Sequence, residues 1–187
     1  MSPFAQALTE WRTLADRAAA LTPAVDAAGA ALRDVLRSGG KILTCGNGGS
    51  AADALHLAEE LTGKYDRPRR ALAALCLNAD GTALTCIAND FGYEQVFARQ
   101  IEALGRPGDA LVTFTTSGRS PNILAALATA RARGLVTVTL TGKDGGPAAP
   151  ASDHALVMPS HDTARIQELH TVVLHAWLAA LEAETWP

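Results

Sequence analysis

The sequence predicts an α/β fold: a Rossmann-like α/β/α sandwich with a five-stranded parallel sheet, preceded by an N-terminal helical hairpin. Three observations carry this reading. Short apolar runs alternate with helical segments from residue 39 onward. Those runs are continuous rather than alternating, the pattern of strands buried on both faces. Glycine- and hydroxyl-rich turns follow two of them, where the βα turns of such sheets bind ligands.

Taken in order, residues 4–37 are rich in Ala and Leu at helical spacing, as in Leu8, Trp11, Leu14 and Ala18. Pro23 interrupts them, so two helices with a break near "LTP" are expected. "SGG" (38–40) supplies a C-cap. "KILTC" (41–45) reads as a strand, and "GNGGSAADALHLAEE" (46–60) as a turn entering a helix. "ALAALCL" (71–77) reads as a second strand, although its alanines leave helix open. Short helical patterns follow in "GTALTCIAND" and "YEQVFARQIEAL". "DALVTFT" (109–115) is a third strand, and a helix over 120–133 takes Pro121 in its favoured first turn. "LVTVTL" (135–140) and "HALVM" (154–158) complete the sheet, with a loop over 142–152 between them. A long helix from about Thr163 to Glu184 closes the chain.

The 187 residues suit a single domain. We divide it into N-terminal helices (1–38) used in oligomer packing and an α/β core with its C-terminal helix (39–187). A net charge of −3 with scattered lysines and arginines argues against a nucleic-acid partner. No apolar run approaches the ~20 residues that span a bilayer, and the N-terminus lacks a signal-type apolar core. Cys45, Cys76 and Cys86 fit no zinc-ribbon spacing, and two lie in apolar runs. Buried thiols in a reducing, cytoplasmic compartment are the expectation.

Two turns can hold an anion, "CGNGGS" after the first strand and "TTSGRS" after the third. Small residues let backbone N–H groups converge, and a helix N-terminus adds partial positive charge. The hydroxyls of Ser50, Thr116, Ser117 and Ser120 add donors. Gly46, Gly48 and Ala51 also fit a dinucleotide fingerprint. However, the second strand ends in "LNAD", with Asp80 too late to meet a ribose, so nucleotide binding is the weaker reading. His56 and Glu60, at i and i+4, share a helix face and could serve a divalent metal. On the last helix Gln167, His170 and His175 lie within an otherwise apolar run. Gln167 and His175 are about 12 Å apart along a helix axis, so one metal takes both only if they lean together or come from different subunits.

These motifs together resemble the sugar isomerase (SIS) domain family, most closely its phosphoheptose isomerase branch. The resemblance rests on "GNGGSAADALHLAEELTGKY", "CIANDFGYE", "GDALVTFTTSGRSPNI", "VTLTGKDGG" and "RIQELHTVVLH". It implies a phosphate grip at Thr115, Thr116, Ser117 and Ser120, and sugar contacts at Asn47, Gly48, Gly49, Ser50, Asn89, Asp90 and Gln167. It implies one zinc site per subunit, with ligands His56, Glu60, Gln167 and His175, and an acid–base pair of Glu60 and His175. It further implies a homotetramer with active sites between subunits. The implied reaction converts sedoheptulose 7-phosphate to D-glycero-D-manno-heptose 7-phosphate through an enediol. Ala51 and Arg119 depart from the branch, where histidine and "SxxN"-type turns occur. "CLNADGTALTCIAND" also resembles a non-catalytic SIS branch that binds sugar phosphates or protein partners, including a DnaA-binding initiation factor. That branch lacks the glutamate and final histidine kept here as Glu60 and His175.

Overall fold

The computed structural model describes residues 1–186. Its centre is a sheet of five strands: β1 (Ile42–Gly46), β2 (Ala74–Cys76), β3 (Ala110–Phe114), β4 (Val136–Thr141) and β5 (His154–Val157). All neighbours are parallel, in the order β2-β1-β3-β4-β5. This confirms the expected sheet. The register pairs Thr44 with Val112 and Gly46 with Phe114, so β1 and β3 end side by side. The chain leaves β1 toward β2 on one side and returns to β3 on the other. The crevice between their carboxyl ends is therefore the topological switch point, where open parallel sheets place ligands.

Successive strand residues face opposite layers. Ile42, Val112, Phe114 and Leu140 pack with α2 (Thr22–Arg37), α3 (Gly49–Thr62) and α7 (Thr163–Glu182). Leu43, Cys45 and Leu111 pack with α5 (Ala98–Leu104) and α6 (Pro121–Ala132) on the other face. Hydroxyls that fall inside pair with each other, as Thr113 Oγ1 and Thr139 Oγ1 do at 2.7 Å. The loop after β4 carries no helix or strand until β5, as its composition predicts. Cys45 and Cys76 are buried, whereas Cys86 on α4 (Gly81–Phe91) is exposed, and all three are free thiols. No helix among the described residues is long and apolar enough to cross a membrane.

The N-terminal hairpin does not form. α1 (Pro3–Ala18) runs through a 3-10 turn at Ala19–Leu21 into α2 without leaving the right-handed helical region. Pro23 stands at the start of α2, where its missing N–H costs nothing, and Ala19-Ala20-Leu21 supplies no residue suited to a reversal. The result is one long, jogged element that follows α7 along its whole length. Arg165 bonds to Ala7 O (3.1 Å), Trp177 Nε1 donates to Val25 O (2.9 Å), and Glu184 meets Arg33 and Arg37.

Candidate functional site

Both hydroxyl-rich turns open into the switch-point crevice. A cleft of about 190 Å³ is lined by Asn47 and Ser50 from the first turn, Thr115, Thr116, Ser117 and Ser120 from the second, and Gln167 from α7. Sequence reasoning singled out all seven. It missed Phe114 and Thr163, which complete the lining. Ser120 caps α6, Ser50 lies in the first turn of α3, and Thr163 begins α7. Three helix N-termini thus surround one cleft; those of α3 and α6 have no side-chain cap and add partial positive charge, whereas Asp162 already caps α7. No lysine or arginine lines it.

The turn geometry is tightly enforced. Gly118 has a φ of +64°, and a Cβ there would sit 2.0 Å from the carbonyl oxygen of Gly145. The second turn is thereby docked on the loop after β4, and the Thr115 hydroxyl accepts from the Gly118 N–H (3.2 Å). Gly118→Ala is expected to cost more than about 1 kcal/mol of stability and to raise KM. Chemical denaturation and steady-state kinetics check both effects. In the first turn, Asn47 and Asn122 exchange two amide hydrogen bonds (2.9 and 2.8 Å), and the Tyr93 hydroxyl donates to Asn47 Oδ1 (3.2 Å). Asn122, buried in "SPNI", is a further site residue whose only sequence signal was its place in that motif.

Gly48, with a φ of +58°, is exposed and turns the chain into α3. Gly49 lies beneath Gln167, whose amide leaves no room for a Cβ. Gln167 Nε2 donates to Ser50 Oγ at 3.4 Å. One turn further along both helices, the Thr171 hydroxyl donates to Asp53 Oδ1 (3.1 Å). A further turn along, the rings of His56 and His175 meet edge to face at 5.0 Å. α3 and α7 therefore run side by side in the same sense, joined by three successive polar contacts. Burial raises the Asp53 carboxyl, and the Thr171 hydroxyl and nearby His56 only partly oppose this.

His56 is the hub of the far end. Its Nε2 is 3.5 Å from Glu60 Oε1, while its ring touches His175. Ligand-capable atoms of His56, Glu59 and Glu60 lie within 4.8 Å of one another. Imidazole nitrogen and carboxylate oxygen at this spacing fit a divalent ion such as zinc. Glu59 was not anticipated; it is exposed. Of the expected ligands, the structure sets His56 and Glu60 within ligand reach of one another, lays the His175 ring against His56 outside that group, and leaves Gln167 two turns away on Ser50. Asn89 and Asp90 stay outside the cleft on α4, where they are exposed and bonded to each other at 2.7 Å. His170 turns inward: it is fully buried against Phe114, and its Nε2 faces Thr141 O at 3.4 Å.

A family profile described as "SIS domain" matches residues 8–142. A phosphoheptose isomerase of Paramagnetospirillum magneticum is 56% identical over 82% of this chain and 80% of its own. One from Campylobacter jejuni is 48% identical over 89% of both chains. The solved phosphoheptose isomerase from Neisseria gonorrhoeae superposes with a TM-score of 0.91 at 40% identity, covering 97% of each chain. The enzyme from Francisella tularensis gives 0.92 at 33% identity, over 98% of this chain and 100% of its own.

Proposed function

We propose a division of labour along the site of this chain, which belongs to the SIS domain family and is a phosphoheptose (sedoheptulose 7-phosphate) isomerase. The cleft of Thr115, Thr116, Ser117 and Ser120 holds the phosphate through hydroxyls, backbone N–H groups and the N-termini of α3 and α6. Asn47, Gly48, Gly49, Ser50 and Gln167 meet the sugar; Asn89 and Asp90, exposed on α4 outside the cleft, are assigned no contact with it. Glu60 and His175 carry the proton transfers. The observation that carries this reading is the hub at His56, which joins Glu60 on one helix to His175 on another.

Conversion of a 2-ketose to an aldose moves a proton from C1 to C2 through an enediol. Glu60 takes the proton from C1 and returns it to C2, while His175 gives a proton to O2 and takes one from O1, so the protons balance. Zinc, when bound, would polarise the carbonyl. His56 and Glu60 would hold it, with His175 and Gln167 completing the set from the same or a neighbouring subunit. A carboxylate cannot be a tight ligand and a free base at once, so Glu60 acts as base in its uncoordinated state.

The test of function is incubation with sedoheptulose 7-phosphate and detection of the aldose by NMR. Ligand binding without turnover would support instead a sugar-phosphate-binding regulator. Phe4, Leu8 and Val172 remain exposed on α1 and α7, which supports assembly into a homotetramer through these helices. The free thiols suit a cytoplasmic location. Metal analysis of the purified protein is expected to find about one zinc per subunit, reduced in His56→Gln, and sedimentation of the same preparation to find a tetramer. A metal content unchanged by His56→Gln removes that residue from the ligand set.

A further inference from the structure

Beyond the acid–base pair, the segment that follows α3 is tied to both helices carrying it. Glu182, near the end of α7, accepts the backbone N–H groups of Tyr65, Asp66 and Arg67 at 2.6, 2.9 and 2.9 Å. Arg69 lies 3.7 Å from the same carboxylate and reaches the other way, donating to the carbonyls of Glu60 (2.6 Å) and Leu61 (2.9 Å). The side chains of Arg69 and Glu182 are 7% and 5% exposed, so this is an enclosed pair rather than a solvated one. The same segment lays the Tyr65 ring on His175, with centroids 5.3 Å apart and planes inclined by 30°. His175 is thus held between Tyr65 on one side and His56 on the other.

We infer that Tyr65 is a positioning residue for His175, and that Arg69 and Glu182 form the brace that keeps Tyr65 and the Glu60 turn in register. This rests on the proposed roles of Glu60 and His175. The brace caps the C-terminal carbonyls of α3 at the turn bearing Glu60 and links them to α7 about two turns beyond the contact with His175. A flat ring stacked on the imidazole restricts its rotation. The Tyr65 hydroxyl has no part in this, since the contact is made by the ring face.

Steady-state kinetics on sedoheptulose 7-phosphate and NMR of the histidine ring protons test the inference together. Tyr65→Leu is expected to lower kcat roughly 10- to 100-fold with KM little changed, the size of effect that misplacing a reacting group produces. It should also remove the aromatic ring-current shift from the His175 ring protons. Tyr65→Phe keeps both the activity and the shift. Arg69→Lys leaves the stacked ring in place but loosens the α3 terminus, and lowers kcat in the same direction. Thermal unfolding verifies that each variant is folded. Wild-type kcat in folded Tyr65→Leu or in Arg69→Lys overturns the inference, as does a Tyr65→Phe variant as impaired as Tyr65→Leu. A loss confined to KM overturns it too. Full activity in Glu60→Gln would instead remove the reading on which the inference rests, so the two failures are distinguishable.

Discussion

Glu60→Gln and His175→Gln are each expected to lower turnover by on the order of 10²- to 10⁴-fold, the range in which a positioned general acid or base contributes. The glutamine in each variant keeps polarity and approximate size but cannot exchange a proton. The fall should therefore appear in kcat, with KM for the sugar phosphate largely kept. The cleft proposed to hold the phosphate lies two to three turns away along α3 and α7 and shares no lining residue with either position. The two substitutions together should cost little more than one alone, because residues acting in one proton transfer are not additive. NMR detection of the aldose gives the rates, and ligand titration shows that binding survives. Undiminished kcat in either variant would overturn the role assigned to that residue.

Acidification is expected to weaken the fold in two stages. Burial pushes His170 down to about 4, only partly opposed by the Thr141 carbonyl, from an ordinary value of 6.5. In the unfolded chain the imidazole takes up its proton first. Its contribution to stability is therefore full above about pH 6.5 and is lost as pH falls toward about 4, a change on the order of 3 kcal/mol. Below that, the carboxylates take over. Burial raises Glu182, but the N–H groups of residues 65–67 and Arg69 outweigh it and hold the group below the usual range. Asp109 behaves likewise, with burial outweighed by Lys41 and the Arg106 N–H. A depressed carboxyl stabilises above its unfolded pKa and loses that contribution as pH falls through the folded one. Urea unfolding at a series of pH values should show both stages. His170→Leu should flatten the first and leave the second. An unchanged slope between pH 6.5 and 4 in that variant would rule out His170 as its source.

The sheet was readable because each strand is a continuous apolar run closed by a turn, and so were the two turns of the cleft, which are local features. Readability ended where a feature depends on packing. Pro23 suggests a break, and a break suggested a reversal, yet proline at a helix start is also compatible with continuation. Nothing local decides between them; the contacts of Arg165, Trp177 and Glu184 along one face of the N-terminal helices do. Asn89 and Asp90 showed their chemistry but not their direction, which is set by how α4 lies on the sheet. The spacing of Gln167 and His175 was legible, and the resemblance grouped His56 with them, whereas the pairing of Gln167 with Ser50 was not, because the parallel run of α3 and α7 is a tertiary fact. Tyr65 was only the end of a quoted motif, and Arg69 and Glu182 gave no signal at all, being ordinary residues whose importance comes from where α7 ends.

The parallel run of α3 and α7 has a consequence for chain length. Gln167 stands at the cleft and His175 at the proposed proton-transfer end, eight residues on, or about 12 Å at ~1.5 Å per residue. On the proposed reading, phosphate and reacting carbons are fastened toward the two ends of that interval. The pair of helices is a ruler. On that reading a shorter sugar phosphate would satisfy either end but not both, and the enzyme would discriminate by reach as well as by its contacts with the sugar.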